Sequence, residues 1–297
     1  MTRFCTLAAL RWAVLAISLV VLPGCSMMRL GYGYLDTYAA WKANEYFDLE
    51  SHQKDDFQRR FDRLHEWHRY QELPDYAAFL AKARQRLDKS IEPQDVDWFV
   101  DGVKERYARI VSRATDDAVV LLYTLTPAQL EVLKQRWDKD NRRFVREYRL
   151  NGSPDDIKRA RARRTLHQIR EWVGPLSHEQ EHQVIAATDA MPMTEKLRYE
   201  DRVRRQREFL RLMAERSEDR EAFAQKLRAW LIDWNKGRDP EYERLARRVY
   251  AERVKLVIEL ERTITPHQRA LALGRLQDYI DDFTRLAQRP HGRTAAN

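Results

Sequence analysis

Residues 239–268 read DPEYERLARRVYAERVKLVIELERTITPHQ, and their pattern decides the fold. Tyr242, Leu245, Ala246, Val249 and Tyr250 recur at i, i+3, i+4, i+7 and i+8, and Leu256, Val257 and Leu260 continue the stripe. That is the period of a helix with one apolar face, not the alternation of a strand. Asp239 before Pro240 marks a helix start, because Asp accepts a first-turn N–H and Pro fits the first helical position. Thr265-Pro266 repeats the device, and Leu273, Leu276, Ile280 and Phe283 form the next stripe. The reading is a helix over 240–263 packed against a helix over 266–287.

The same punctuation divides the rest of the chain. Pro74, Pro93, Pro127 and Pro154 each precede a helical pattern, with Thr126 and Ser153 as caps; Pro175 and Pro192 lie between patterns. Helices are predicted over 35–48, 51–71, 74–89, 93–123, 127–149, 154–173, 178–189, 194–216 and 219–236. Residues 118–122, with two Val, also suit a strand, but they end a long helical pattern. Gly (9) and Pro (10) are scarce in 297 residues, and no run of strands with Gly-rich turns occurs. The expected fold is all-α: about ten helices in antiparallel hairpins, forming a bundle or an elongated helical array. The helical domain spans 35–288, and 289–297 is a polar tail.

Residues 12–22 carry no charge and follow Arg3 and Arg11. They fall well short of the about 20 residues that a membrane-spanning helix needs, and they read as the core of a secretory signal. Leu22-Pro23-Gly24-Cys25 follows. It resembles the lipobox of bacterial lipoproteins, with Pro23 where Ala or Ser is usual. The resemblance implies removal of 1–24, a diacylglycerol thioether on Cys25, and an N-acyl chain on its freed amine. Two or three chains anchor stably where one does not. Ser26, in place of Asp, implies the periplasmic face of the outer membrane by the Gram-negative sorting rule. Cys5 would leave with the signal, so the mature chain would hold no disulfide and no cysteine nucleophile. Residues 26–34 then form a short tether, reaching at most about 30 Å. Tyr32, Tyr34, Tyr38 and Trp41 suit the lipid interface, or Tyr38 and Trp41 are the first core contacts.

Leu125-Thr126-Pro127-Ala128-Gln129 has echoes in Leu176-Ser177-His178-Glu179-Gln180 and Ile264-Thr265-Pro266-His267-Gln268, with a degraded copy in Leu49-Glu50-Ser51-His52-Gln53. Thr or Ser followed by Gln three residues later is a capping box. The copies keep no fixed period, so they do not describe a solenoid. The phrase resembles the LTxxQ motif of Spy/CpxP-type periplasmic proteins, which are helical chaperones and stress-response inhibitors. A longer ordered set runs from Tyr46-Phe47-Asp48-Leu49 through Trp67-His68-Arg69, Glu72-Leu73-Pro74-Asp75-Tyr76, Leu125-Thr126-Pro127-Ala128-Gln129 and Asp140-Asn141 to Trp172-Val173-Gly174-Pro175-Leu176. It resembles an uncharacterised family of proteobacterial lipoproteins. That resemblance implies a helical fold and an envelope location, and no activity.

Candidate chemistry is sparse. His65, His68 and Glu72 share a helical face at i, i+3, i+7, a spacing that holds a metal only if another ligand joins from elsewhere; packing is the other reading. His178 and His182, at i, i+4, stand alike. Asp140 and Asn141 fall within the apolar stripe Leu130, Leu133, Trp137, Phe144, Tyr148. They are read as partly buried: either a structural lock, bonded to a helix end or to Arg163 or Arg164, or a ligand site. Two basic stretches, 158–164 and 202–211, are solvated faces or contacts for lipopolysaccharide, anionic lipid heads or acidic proteins. The net charge of +8, lowered to +6 by loss of Arg3 and Arg11, would suit nucleic acid, but an envelope address excludes that partner.

No nucleophile elbow, His-Glu-x-x-His or phosphate loop is present. The expectation is therefore a non-enzymatic lipoprotein with no cofactor beyond the lipid on Cys25. It would bind another envelope component, an envelope protein or anionic lipid. The alternatives are a periplasmic chaperone or stress-sensing adaptor, and a lipid- or polyanion-binding module.

Overall fold

A computed structural model describes residues 25–216 and 219–288; the signal peptide expected over 1–24 and the tail expected over 289–297 lie outside the described residues. In chain order the helices are α1 (Cys25–Gly33), α2 (Leu35–Phe47), α3 (Ser51–Trp67), a π-turn (His68–Glu72), α4 (Leu73–Leu87), α5 (Pro93–Thr124), α6 (Pro127–Glu147) and α7 (Pro154–Val173). They continue as α8 (His178–Ala190), α9 (Glu195–Ala214), α10 (Arg220–Ile232), α11 (Pro240–Thr263) and α12 (Pro266–Ala287). The fold is all-α, and no strand occurs among the described residues; 118–122 is helix within α5. Because α3 and α4 form one rod through the π-turn and α1 abuts α2, the separate rods number close to the ten expected.

The helix entries are built as their sequences dictate. Thr126, Ser153, Ser177 and Thr265 each accept the backbone N–H three residues on, and Gln129, Asp156, Gln180 and Gln268 reach back to the cap. Glu50 plays the cap in the degraded copy, with Gln53 returning.

The glutamines do more than cap, because the four phrases meet in pairs. Gln53 Nε2 donates to Gln129 Oε1 at 3.2 Å, and Gln129 Nε2 donates to Gln53 Oε1 at 2.6 Å. Gln180 and Gln268 repeat the exchange at 2.9 and 3.0 Å. Each Nε2 also donates to a carbonyl beside its partner's helix: Thr124, Asp48, Thr263 and Pro175 in turn. All four side chains are buried, and each fills both its donors and its acceptor. The first residue of each phrase packs into the core beneath: Leu49 and Leu125 in one cluster, Leu176 and Ile264 in another. The first cluster gathers α3, α5, α6, α9 and α10 around Leu133, Met213 and Leu227; the second gathers α7, α8 and α11 around Val184 and Leu256.

The expected packing of 240–263 against 266–287 is corrected by the structure. Helix α12 lies along α4 and also meets α7, while α11 packs on α8 and α5. Its entry is pinned to that of α8 by the Gln180–Gln268 pair, so α12 leaves α11 at once and carries its stripe to a distant helix.

Helices predicted over 51–71 and 74–89 are likewise one rod. Pro74 has no N–H and its ring crowds the carbonyl four residues earlier. The rod absorbs it by widening: Leu73 N–H bonds to the carbonyl of His68, five residues back, and His68–Glu72 becomes a π-turn.

Candidate functional site

The segment expected as a tether is helix α1, and it lies against the domain. Tyr32 sits between His65 and His68, with ring centroids 4.6 and 5.9 Å away, and its hydroxyl is 2.9 Å from His68 Nδ1. Arg29 Nε is 3.2 Å from Asp282 Oδ1 on α12. Tyr34, Tyr38 and Trp41 remain largely exposed, so Tyr38 and Trp41 are not core contacts.

His65, His68 and Glu72, candidates for a metal, have other uses. The two imidazoles wall the Tyr32 dock. Glu72 is buried and takes Arg109 through Nη2 at 2.8 Å and Nε at 3.1 Å, and Arg109 also holds Asp75. Among the described residues no group of three or more His, Cys, Asp or Glu is placed to hold a metal. His178 and His182 are exposed on α8.

Burial pushes the imidazoles of His65 and His68 below the ordinary histidine value, and it pushes the Tyr32 hydroxyl up. The docked form therefore favours neutral rings and binds fewer protons than the undocked form. Docking is at full strength above the ordinary histidine pKa, about 6.5, and weakens as pH falls below it. Corrected for intrinsic rates, amide exchange over 25–47 is expected to rise between about pH 7.5 and pH 5.5. His68→Gln is expected to reduce that rise; exchange indifferent to pH in the parent chain would refute the assignment.

Asp140 and Asn141 are buried, as their stripe predicts, but Arg163 and Arg164 are not their partners. Asp140 accepts the Tyr46 hydroxyl at 2.6 Å and lies 3.4 Å from both Arg136 and Arg143. Asn141 bonds Gln206 at 2.8 Å and accepts Arg202 Nε at 2.8 Å. Together they join α6 to α2 on one side and α9 on the other. Arg164 instead donates to the Glu147 carbonyl and lies over the Tyr148 ring. Tyr46, Arg202 and Gln206 carry no local sign of this role, because each comes from 61 or more residues away.

The two basic stretches part company. The second is largely internal: Arg202 serves Asn141, Arg204 pairs with Asp201 and Glu208, and Arg205 donates to the Trp230 carbonyl. In the first, Arg161 is buried against Glu195. Arg159 and Arg163 face a cleft of about 850 Å³ between the end of α6 and the start of α7, which Arg146 and Arg149 also line, with Glu147 and Asp156. Both carboxylates are engaged, Glu147 with Arg143 and Asp156 with Arg159 and the Ser153 cap. Arg142 and Arg146 border an adjoining hollow. All five arginines are exposed, and Arg142, Arg146, Arg149 and Arg163 make no ion pair among the described residues.

A second concavity, of about 410 Å³, opens beside α1. Its lining is almost wholly apolar, drawn from Met28, Phe79, Phe99, Val103, Trp172 and Tyr279 among others. Along one side α5 brings Gly102 against the Phe79 ring, where an added Cβ would collide with the ring.

No curated protein and no solved structure matches the chain. Residues 45–243 match the model of DUF6279, a family of unknown function. That span runs from the end of α2 into the first turn of α11, and it holds the Gln53–Gln129 pair, the Asp140–Asn141 junction and the basic cleft. It leaves out α1 and α12, which meet across the dock. With two thirds of its length inside the match, the chain belongs to DUF6279.

Proposed function

We propose that this chain is a lipid-anchored, non-enzymatic protein of the cell envelope that binds an anionic envelope component through the basic cleft between α6 and α7. The observation that carries the binding half is the gathering of exposed arginines, Arg142, Arg146, Arg149 and Arg163, around one cleft and its adjoining hollow, with no ion pair among the described residues. Guanidinium groups suit phosphate and carboxylate by their planar fork. The lipobox-like Leu22-Pro23-Gly24-Cys25 supports the anchor, and the outer membrane is the membrane that Ser26 favours. The exposed Tyr34, Tyr38 and Trp41 beyond it suit a bilayer interface.

The chaperone reading loses its main support, because the LTxxQ-like glutamines are buried in pairs and no longer need a client to explain them. No helix among the described residues is long and apolar enough to cross a membrane.

One experiment separates the two halves of the proposal. A palmitate analogue is expected to label the parent chain and not Cys25→Ser. The unanchored Cys25→Ser chain is then expected to bind vesicles of anionic lipid in preference to neutral ones. Neutralising Arg149 and Arg163 to Gln should weaken that binding by roughly 30-fold, at about 1 kcal/mol for each basic side chain near the surface. Label that survives Cys25→Ser removes the anchor. Equal binding to neutral vesicles removes the anionic partner.

A further inference from the structure

The concavity beside α1 has a chemistry that narrows its occupant. Phe79 and Phe99 stack with ring centroids 5.2 Å apart along one wall. Trp172 and Tyr279 form the other, 6.1 Å apart. Phe99, Val103, Trp172 and Tyr279 are 37%, 48%, 43% and 37% exposed, so the trough stands open along its length. The one charged group in the lining, Arg106, is already engaged: its Nε lies 2.8 Å from Asp75 Oδ2, Nη1 donates to the Gly102 carbonyl, and the guanidinium covers the Phe79 ring at 3.8 Å. Tyr107 likewise turns its hydroxyl to the Leu231 carbonyl.

A trough of this kind offers nothing to an anion. It serves a peptide poorly too, because each backbone amide laid in it would lose its water without gaining a partner. An aliphatic chain has no such groups and needs only apolar contact.

The position of the trough selects the source. Met28 lines it, and Met28 belongs to α1, the helix that Cys25 opens. Three residues, about 4.5 Å of helical rise, separate positions 25 and 28. The helix is fixed in that place by Tyr32 on His68 and by Arg29 on Asp282.

We infer that the trough takes up one acyl chain of the lipid on Cys25, leaving the others to the bilayer. This rests on the lipoprotein reading above. The domain is then fastened against its own anchor.

Photo-crosslinking in cells tests it. Cells are fed a palmitate analogue that carries a diazirine and an alkyne, irradiated, and the full chain is purified and its acyl adducts mapped by mass spectrometry. The expected result is label at Cys25 with adducts on peptides holding Phe79, Phe99 to Val103, Trp172 or Tyr279. Val103→Arg sets a charge at an exposed position in the mouth. It should keep the Cys25 label but lower the trough adducts by about tenfold or more, as a charge facing an apolar chain demands. Label at Cys25 with adducts only outside the trough overturns this inference and leaves the anchor standing. No label at Cys25 overturns both. Trough adducts that persist in Cys25→Ser assign the site to bilayer lipid and overturn the chain's own anchor as its occupant.

Discussion

Arg161→Met is expected to lower the stability of the fold by about 3–5 kcal/mol, the usual cost of removing one partner from a buried ion pair. Arg161 and Glu195 are both buried, and they meet in a fork, Nε to Oε1 at 2.7 Å and Nη2 to Oε2 at 2.8 Å. The same guanidinium donates to the carbonyls of Thr188, Met191 and Pro192, where the chain leaves α8 for α9. One side chain thus satisfies a buried carboxylate and three carbonyls at the turn between two helices. Methionine fills much of the volume and restores none of these bonds.

The pH behaviour of Glu195 follows. Burial pushes its pKa up, but the fork with Arg161 more than offsets that, and the net direction is down from the ordinary carboxylate value. A lowered carboxylate pKa gives stability above the unfolded value, lost as pH falls through the folded one. Denaturant unfolding at neutral pH checks the first claim, and a loss below about 1 kcal/mol would sink it. In Arg161→Met the acid limb of the stability curve should move to higher pH, because Glu195 keeps its burial and loses its partner.

Gln129→Ala is expected to cost about 2–4 kcal/mol, more than an ordinary cap is worth. The change deletes the bonds to the Thr126 N–H and the Asp48 carbonyl, and it strands Gln53 in a buried site. A double-mutant cycle with Gln53→Ala should show a coupling of about 1–3 kcal/mol. Gln129→Ala and Gln268→Ala share no partner, so their effects should add within about 0.5 kcal/mol. A Gln129→Ala cost near zero, or no coupling to Gln53, would reduce the phrase to local capping.

These two sites show where sequence reading stops. Caps and stripes are local, so Asp239-Pro240, Thr265-Pro266 and the apolar faces placed α11 and α12 to the residue. A stripe says that a face is covered, not by what, and α12 found α4 in place of its neighbour. Gln129 was legible as a cap because its oxygen works three residues away. Its amide hydrogens work some 80 residues away, where no spacing rule reaches. Arg161 looked like one charge in a basic run, since nothing nearby foretold Glu195 on another helix. Asp140 and Asn141 stood out because polar groups interrupted an apolar stripe, yet Tyr46, Arg202 and Gln206 did not. Pro74 gave a break signal that was correct in kind, and the rod answered it by widening.

The two glutamine pairs differ from every ionic contact in this arginine-rich molecule. A carboxamide does not ionise in ordinary media and has no net charge for salt to shield. Acid or brine that slackens the surface ion pairs leaves these joints at full strength. The helix entries would keep their register while the outer charges change state.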